Sequence, residues 1–449
     1  MRYLPHTEED VQQMLDRIGV ADIEALFSGI PQNCRLKTPL DLPAAKSESE
    51  ALALLRRLAD QNVSVSAWTS FLGGGAYHHF IPAVVDHLVS RSEFYTAYTP
   101  YQPEISQGTL QAIFEFQTMI CQLTGMDVAN ASMYDGASAC AEAVLLTVRT
   151  GKKRNKVLLS RALNPQYRQT VATYCQYLDV ELIDIPMRDG VTDLQALKSL
   201  LDEQVASVVV GYPNYFGRIE DLAVIAEATH AGGARLVTAV AEPLALALFK
   251  SPGELGADVV VGEGQSFGIP MSYGGPGIGF FAVRKNDMRV LPGRLVGETV
   301  DQDGRRGFVL TLATREQHIR REKATSNICS NQGMCVLMVS IYLALHGKTG
   351  LRKLAETNYA KAAYARDRIG ELKGYEVTFP GECFNEFVVT CPEPVAALKT
   401  RLEEQHLLPG IALGRDYPEL EKDLLICVTE QHSREQIDNL VAALAGGAR

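Results

Sequence analysis

The sequence predicts an α/β protein in which helices cover a mostly parallel sheet with one antiparallel strand, followed by a smaller α+β domain. Between residues 155 and 283, amphipathic helical patterns alternate with the short runs KVLLS, VELIDI, SVVVGY, RLVTAV, DVVVG and GIGFFAV. This alternation is typical of parallel strands joined by helical crossovers. The last two runs are joined by GEGQSFGIPMSYGGP, whose glycines and prolines exclude a crossover helix. We therefore expect the final strand to run antiparallel to its neighbour.

The chain has 449 residues, 46% of them hydrophobic, and is long enough for several domains. Residues 1–70 are predicted to form a helical arm, because TEEDVQQMLDRIGV combines a Thr7/Asp10 capping box with an apolar stripe. Residues 71–330 form the predicted large α/β domain, in which Thr192 and Gln195 are expected to make a capping box for a helix over 193–203. Residues 331–449 form the predicted small α+β domain.

Composition excludes several classes of function. The formal net charge of −10 argues against nucleic-acid binding, which needs concentrated Lys and Arg. Nine cysteines without a Cys-x-x-Cys pair suit neither a disulfide framework nor a zinc site. The pair His78-His79 lacks further ligands at suitable spacing, so no metal site is predicted. No apolar stretch has the length of a membrane span and the N-terminus has no apolar signal core, so we expect a cytoplasmic protein.

Two polar segments are candidates for ligand binding. YTPYQPEISQG, which begins at Tyr98, is a rigid loop ahead of a helix predicted over 109–123; binding residues often lie in such loops, and a surface linker is the alternative. Gly136 and Ser138 open a helix whose backbone N–H groups suit a phosphate, although a simple N-cap explains the same residues. GEGQSFG has the wrong glycine spacing and no following helix for a dinucleotide loop.

Five long segments, taken in order, resemble the P-protein of the glycine cleavage system, specifically its alpha subunit or the N-terminal half of its fused form. They are YTPYQPEISQG, QTMICQLTGMDVANASMYDGASACAEA, YGGPGIGFFAVR, PGRLVG and TREQHIRREKATSNIC. The resemblance spans nearly the whole chain. It implies the aminotransferase-like fold (fold type I) of pyridoxal-phosphate-dependent enzymes, with a small C-terminal domain and active sites at subunit interfaces.

The resemblance also implies a reaction. The family acts as glycine dehydrogenase (aminomethyl-transferring) in glycine catabolism: it decarboxylates glycine on pyridoxal phosphate and passes the aminomethyl group to the lipoyl group of H-protein. In the two-subunit form, a heterotetramer, the beta subunit carries the Schiff-base lysine. Here the matching position is Gln265, and no lysine occurs from Ser251 to Arg284. An amide cannot form an imine, so the resemblance implies that the partner subunit holds the cofactor covalently.

The strand that should supply an aspartate for the pyridine nitrogen reads Thr238-Ala239-Val240-Ala241. We therefore expect no self-contained set of catalytic residues in this chain. On this view Gly136 and Ser138 form a vestigial phosphate loop, and the remaining contributions are made at the interface with the partner. The candidates for lining the shared site are Tyr98, Tyr101, Glu104 and Gln107.

A second set of candidates, in REQHIRREK and the residues after it, is expected to bind the partner's cofactor in trans. Cations, hydroxyls and amides suit a phosphate or a carboxylate, and a solvated helix face is the alternative for this charge run. The candidates are Arg321, Thr325 and Asn327, with Arg320, Lys323 and Ser326 beside them. Two other functions stay open: a self-sufficient homodimeric aminotransferase or lyase, which needs a cofactor lysine, and a scaffold subunit without active-site residues.

Overall fold

The computed structural model describes residues 5–151, 153–328 and 332–446. The chain divides into two units, Met1–Val63 and Ser64–Arg449, and each is described by itself. The first unit falls within the arm predicted for residues 1–70. The boundary predicted between residues 330 and 331 lies outside the described residues, so the three-part division stays a prediction.

The first unit contains two helices, α1 (Glu8–Ile18) and α2 (Glu48–Ala59). The Thr7 hydroxyl accepts a hydrogen bond from the Asp10 N–H at 3.2 Å, and the Asp10 carboxylate accepts one from the Thr7 N–H at 2.8 Å. This is the capping box that the sequence predicts. Among the described residues of this unit only Leu15 is buried, so its helices are not held together by a core of their own.

The strands of the second unit, in chain order, are β1 (Thr69–Ser70), β2 (Val128–Ala129), β3 (Lys156–Ser160), β4 (Glu181–Ile185), β5 (Met187–Arg188), β6 (Val191–Thr192), β7 (Val205–Gly211), β8 (Arg235–Val240), β9 (Val259–Glu263), β10 (Gly279–Val283), β11 (Leu295–Val300), β12 (Arg306–Thr311), β13 (Glu376–Val377), β14 (Glu386–Thr390), β15 (Leu407–Leu408), β16 (Ile411–Ala412) and β17 (Asp423–Cys427). Its helices are α3 (Ala83–Val89), α4 (Ser92–Tyr95), α5 (Gln107–Thr124), α6 (Gly136–Thr150), α7 (Pro165–Cys175), α8 (Leu194–Leu200), α9 (Leu222–Ala231), α10 (Gln317–Arg320), α11 (Gly333–Gly370), α12 (Val395–Glu403) and α13 (Arg434–Leu444).

The central sheet has seven strands in the order β2-β10-β9-β8-β7-β3-β4. Neighbouring strands from β9 to β4 are parallel, whereas β10 is antiparallel to both β9 and β2. The prediction of a mostly parallel sheet with one antiparallel strand is confirmed. Phe280 and Phe281 of β10 enter two different cores, because successive side chains of a strand point to opposite faces. Both faces of the sheet are therefore covered.

One local prediction is wrong. The helix expected over 193–203 is α8, Leu194–Leu200, and its cap is Asp193, whose carboxylate accepts from the N–H groups of Gln195 and Ala196 at 2.8 and 3.1 Å. Thr192 lies in β6, where its hydroxyl donates to the buried Glu220 carboxylate at 3.1 Å. Asp193 is as good a cap as Thr192 and lies one residue closer to the helix.

The smaller sheet, in the order β13-β14-β17-β16, is antiparallel. α11 links it to the central sheet: Val339 packs in the core of the central sheet and Ala365 in the core of the smaller one. The helix is kinked at Gly347, where φ is 56°. The prediction that no apolar stretch has the length of a membrane span is wrong for α11, which by length and composition could cross a membrane. The buried part of its surface packs in these two cores, as in a core helix of a globular protein.

Candidate functional site

Gln265 lies in the loop after β9, at the edge of the central sheet where the parallel strands end. Its side chain is buried, and both polar atoms of its amide group are hydrogen-bonded. Oε1 accepts from the Tyr77 N–H at 2.8 Å, and Nε2 donates to the Tyr77 carbonyl at 3.1 Å and to the Ile269 carbonyl at 2.7 Å. Gln265 therefore holds the segment of residues 73–80 on the sheet and offers no nucleophilic amine.

The cavity that Tyr77, the partner of Gln265, lines at this end of the sheet is small. The ends of β7 and β8, the start of α7 and the side chains of Tyr77 and Glu386 surround a cavity of about 10 Å³. Such a volume holds about one water molecule, whereas sites for small organic ligands usually occupy about 300–1,000 Å³. The wall formed by β8 contributes Ala239 and, just after the strand, Ala241, so no carboxylate faces the cavity from this strand.

Glu386 of β14 closes the cavity from the side of the smaller sheet. Its carboxylate accepts from the Gly74 N–H at 2.6 Å and from the Tyr77 hydroxyl at 2.8 Å. Burial raises the pKa of Glu386 to about 7, although these two hydrogen bonds act in the opposite direction. A Cβ atom on Gly73 would lie 2.3 Å from Glu386 Oε1, so only glycine lets the backbone pass this close to the carboxylate.

The start of α6 is occupied by carboxylates of the chain itself. The Gly136 N–H donates to Glu263 Oε2 at 2.9 Å, and the Ser138 N–H donates to Asp135 Oδ1 at 2.6 Å. Glu263 also accepts from the Ile278 N–H at 2.8 Å, and burial raises its pKa to about 7. The two N–H groups that the sequence singles out for a phosphate are thus hydrogen-bonded inside the protein.

Two residues after Tyr77, His79 bridges two carboxylates. Its Nε2 lies 2.9 Å from Glu242 Oε2, and its Nδ1 lies 2.8 Å from Glu430 Oε2. Burial alone would lower the pKa of His79, but the two carboxylates outweigh it and raise the pKa to about 10. Glu430 is partly buried, yet the contact with His79 lowers its pKa to about 2. The pair His78-His79 thus contributes a buried ion cluster, and the described residues contain no cluster of His, Cys, Asp or Glu suited to a metal ion.

These observations test whether the chain's own pocket suits pyridoxal phosphate. The cofactor needs a lysine, an acid for its ring nitrogen and free donors for its phosphate. The pocket has Gln265 in place of the lysine and alanine in place of the acid on β8. The N–H groups at the start of α6, which would bind the phosphate, are hydrogen-bonded to carboxylates of the chain. The residues present do not fit the cofactor.

The candidates from Tyr98 to Gln107 lie on the surface of the second unit. Tyr98 is 85% and Tyr101 56% exposed, and Glu104 is exposed as well. The Gln107 amide pairs with the backbone of Phe308 in β12. Its Nε2 donates to the Phe308 carbonyl at 2.9 Å, and its Oε1 accepts from the Phe308 N–H at 2.8 Å. Gln107 therefore fixes the loop to the protein, while Tyr98, Tyr101 and Glu104 remain accessible to a partner.

The second candidate segment, residues 316–327, runs along an open groove of about 580 Å³ above α6 and α7. Arg321, Thr325 and Asn327 line this groove, and Arg321 has a φ of 52°, a conformation that is strained for a side-chain-bearing residue. The charged side chains from Arg320 to Lys323 are exposed and make no ion pair with the described part of the chain. The segment therefore presents uncompensated positive charge.

Several buried residues of these sites were not singled out from the sequence: Tyr77, Glu142, Glu263 and Glu386. A signal existed for Glu263, because it is an acid at the end of the apolar strand DVVVGE, and buried acids are rare unless they have partners. The other three carry no local signal, since their partners are distant in sequence.

Comparison with known proteins gives a consistent result. The family model for the glycine cleavage system P-protein matches residues 1–444. The chain is 54% identical to the probable glycine dehydrogenase (decarboxylating) subunit 1 of Geobacillus sp. strain WCH70 over 443 residues, which are 99% of this chain and 98% of that protein. The predicted resemblance is thus confirmed.

Two solved structures extend the comparison to the fold. A crystal structure of glycine decarboxylase (P-protein) of the glycine cleavage system, in inhibitor-bound form, superposes with a TM-score of 0.92 at 45% identity and covers 99% of this chain and 100% of that one. A mutant of C-DES with glycine covalently linked to its PLP cofactor superposes with a TM-score of 0.62 at 15% identity, covering 86% and 98% of the two chains. The predicted fold of pyridoxal-phosphate-dependent enzymes is confirmed.

Proposed function

Because this chain belongs to the glycine cleavage system P-protein family, we propose that it is the subunit without a cofactor lysine in a glycine decarboxylase built from two kinds of subunit. The complex decarboxylates glycine and transfers the aminomethyl group to the lipoyl group of H-protein. The partner subunit holds pyridoxal phosphate, whose ring supplies the electron sink for loss of CO2. This chain shapes and completes the partner's active site.

The observation that carries this proposal is the environment of Gln265. Both polar atoms of its amide are hydrogen-bonded to Tyr77 or Ile269, and the cavity lined by Tyr77 has a volume of about 10 Å³. The position therefore has a structural task within this chain. A chain with this fold and this pocket can take part in glycine decarboxylation only through the site of another subunit.

The surface around the loop from Tyr98 to Gln107 supports the assembly with a partner. Tyr98 and Ile105 are 85% and 80% exposed. Tyr98 also lines an apolar groove of about 230 Å³ together with Ile113 and Met334. Large exposed apolar surfaces mark interaction sites, and obligate interfaces resemble a divided core. We assign this surface to the partner subunit, with Tyr101 and Glu104 at the edge of the shared active site.

The segment 316–327 supports a role in trans. Arg321 offers an uncompensated guanidinium, and Thr325 and Asn327 offer a hydroxyl and an amide along the same groove. These groups suit the phosphate of the partner's cofactor or the carboxylate of glycine. The backbone of Arg321 is strained, with a φ of 52°. If these charged residues formed only a solvent-exposed helix face, nothing would require this strained conformation.

Co-expression with a homologous subunit that carries the lysine motif tests the proposal. Size-exclusion chromatography should show one stable complex, and exchange of CO2 with the carboxyl group of glycine should require both subunits in the presence of lipoylated H-protein. A complex whose partner lysine is replaced by alanine is the control and should be inactive. Full activity in the separated partner fraction would reduce this chain to a dispensable scaffold, and full activity of this chain alone would overturn the proposal.

A further inference from the structure

Glu142 lies on α6, seven residues before the exposed Arg149, and lines the groove along which segment 316–327 runs. It is 2% exposed. The spacing of seven residues places both side chains on one face of the helix. Burial raises the pKa of Glu142, while its hydrogen bond to Ser326 and the charge of Arg149 act against that rise. A buried carboxylate thus forms the floor of a groove whose rim is exposed and basic.

One oxygen of this carboxylate holds the C-terminal end of the segment. The Ser326 hydroxyl donates to Glu142 Oε1 at 2.7 Å, and the same hydroxyl oxygen accepts from the Ile328 N–H at 3.2 Å. Ser326 is therefore fixed from two sides. Thr325 and Asn327, which carry the proposed contacts in trans, flank Ser326 in the chain, so fixing Ser326 also restricts the backbone positions of these two residues.

The N-terminal end of the segment is held by Arg315. Its guanidinium donates to the carbonyl of Leu291, to that of Gly293 at 3.1 Å and to that of Leu312 at 3.1 Å. The Arg315 carbonyl in turn accepts from the Thr325 N–H at 3.2 Å. The segment is thus a basic loop fastened at two points, by Arg315 at one and by Glu142 at the other.

The second oxygen of Glu142 argues against a purely stabilising role. Oε2 is buried and has no hydrogen-bond partner among the described residues. Most buried polar atoms are paired, and a half-satisfied buried carboxylate is less favourable than an apolar side chain of similar size. A leucine would fill the space at lower cost, so stability alone does not account for an acid here.

We propose that Glu142 is a positioning residue, which acts through Ser326 to hold Thr325 and Asn327 in place for the partner subunit's site. This inference rests on the proposed function. In this proposal Glu142 acts through Ser326 and the loop, and not on the cofactor or the substrate itself. It sets the conformation of the loop before the partner binds, so the complex does not have to order the loop when the cofactor or glycine enters.

The first test uses the full chain without a partner. Trypsin is expected to cut after the exposed Arg320, Arg321 and Lys323 faster when the loop is released from its two fastening points, and the cut sites are identified by mass spectrometry. Glu142→Leu and Ser326→Ala should each speed cleavage at these sites about ten-fold, the effect expected for loss of one charged hydrogen bond. The double variant should be no faster than either single one, because both remove the same bond. Glu142→Gln keeps an acceptor oxygen and should stay near the wild-type rate.

Thr147→Val is the matched control. Thr147 lies on the same helix and is fully buried, and its hydroxyl bonds with Ser207 at 2.8 Å, away from the groove. It should lower the midpoint of thermal unfolding without changing cleavage at residues 320–323. Unchanged cleavage in Glu142→Leu, or equal acceleration in Thr147→Val, would overturn the proposal.

The second test uses the complex. Glu142→Leu should raise the KM for glycine or the concentration of pyridoxal phosphate needed for half-maximal activity about ten-fold, with rescue by Glu142→Gln. If Glu142→Leu keeps the wild-type KM and the wild-type requirement for pyridoxal phosphate while Thr325→Ala and Asn327→Ala impair the complex, the positioning role alone is overturned. Wild-type kinetics in all these variants would overturn the proposed role of the segment itself, and the inference with it.

Discussion

The Gln265 side chain and the Tyr77 backbone form a two-point pair: the Tyr77 N–H donates to Oε1 at 2.8 Å, and Nε2 donates to the Tyr77 carbonyl at 3.1 Å. The pair joins the sheet edge to a segment 188 residues earlier in the chain. Gln265, which the sequence resemblance predicts to stand at the Schiff-base lysine position, thus has a structural task here.

Gln265→Ala should destabilise the chain. It leaves the N–H and carbonyl of Tyr77 and the carbonyl of Ile269 without partners in a buried place, and each such group costs about 1–3 kcal/mol. We expect the free energy of unfolding to fall by about 3 kcal/mol, measured by urea denaturation of the full chain. Gln111→Ala is the control, because Gln111 donates only to the exposed Glu115; an equal loss in both variants would contradict the account.

Gln265→Lys should not create a second efficient active site. A lysine supplies an amine, but Ala239, Val240 and Ala241 offer no acid for the cofactor's ring, and the cavity holds about 10 Å³. The decisive sample is a complex that carries Gln265→Lys while the partner's lysine is replaced by alanine. We expect negligible glycine/CO2 exchange, and exchange near the native rate would show that this pocket is functional.

The bridge from His79 to Glu242 and Glu430 should make stability depend on pH. Folding raises the pKa of His79 from 6.5 to about 10, so the protonated ring favours the folded state. This contribution is fully present below about pH 6.5 and is lost as the pH rises through about 10. Urea titrations between pH 6.5 and 10 should show a fall in the free energy of unfolding for the wild type.

His79→Gln removes this titration and provides the comparison. The variant should be less stable by about 3–5 kcal/mol near pH 6.5, because it leaves the buried Glu242 carboxylate and the partly buried Glu430 carboxylate without their cation. Its stability should decline less towards pH 10 than that of the wild type. His87→Gln, at an exposed position of α3, should follow the wild-type curve. Parallel curves for the wild type and His79→Gln would contradict the assignment of an imidazolium.

Alanine at Thr325, Asn327 or Glu104 should lower the activity of the complex without preventing its assembly. Loss of one hydrogen bond to a bound charged group costs about 1.5–3 kcal/mol, which corresponds to roughly ten-fold or more in kcat/KM. Size-exclusion chromatography checks the assembly and glycine/CO2 exchange checks the activity. Wild-type kinetics in all three variants would favour the scaffold function over the proposed one.

Much of the fold was predictable because its signals are local. Six strand runs and the glycine- and proline-rich link before β10 were enough to predict a mixed sheet, since a chain without a crossover helix cannot return parallel. The cap of α8 was missed by one residue, because the Thr192/Gln195 spacing matches a capping box although Asp193 is the better N-cap residue.

The candidate site was less predictable, because it depends on contacts between distant residues. Gln265 could be placed by resemblance, but its pairing with Tyr77 and the closure of the cavity by Glu386 depend on how separate elements pack. The same holds for the bond from Ser326 to Glu142, which spans 184 residues. Periodicity and caps describe one element at a time, and therefore leave such pairs undetermined.

The central claim is that the cofactor of the complex is bound covalently by the partner and not by this chain. The most direct measurement is borohydride reduction of the complex with pyridoxal phosphate, followed by mass spectrometry of peptides from both subunits. We predict a pyridoxyl-lysine peptide from the partner's lysine motif and none from this chain, because Gln265 cannot form an imine. Recovery of a pyridoxyl-lysine peptide from this chain, at a yield comparable with that of the partner, would contradict the account.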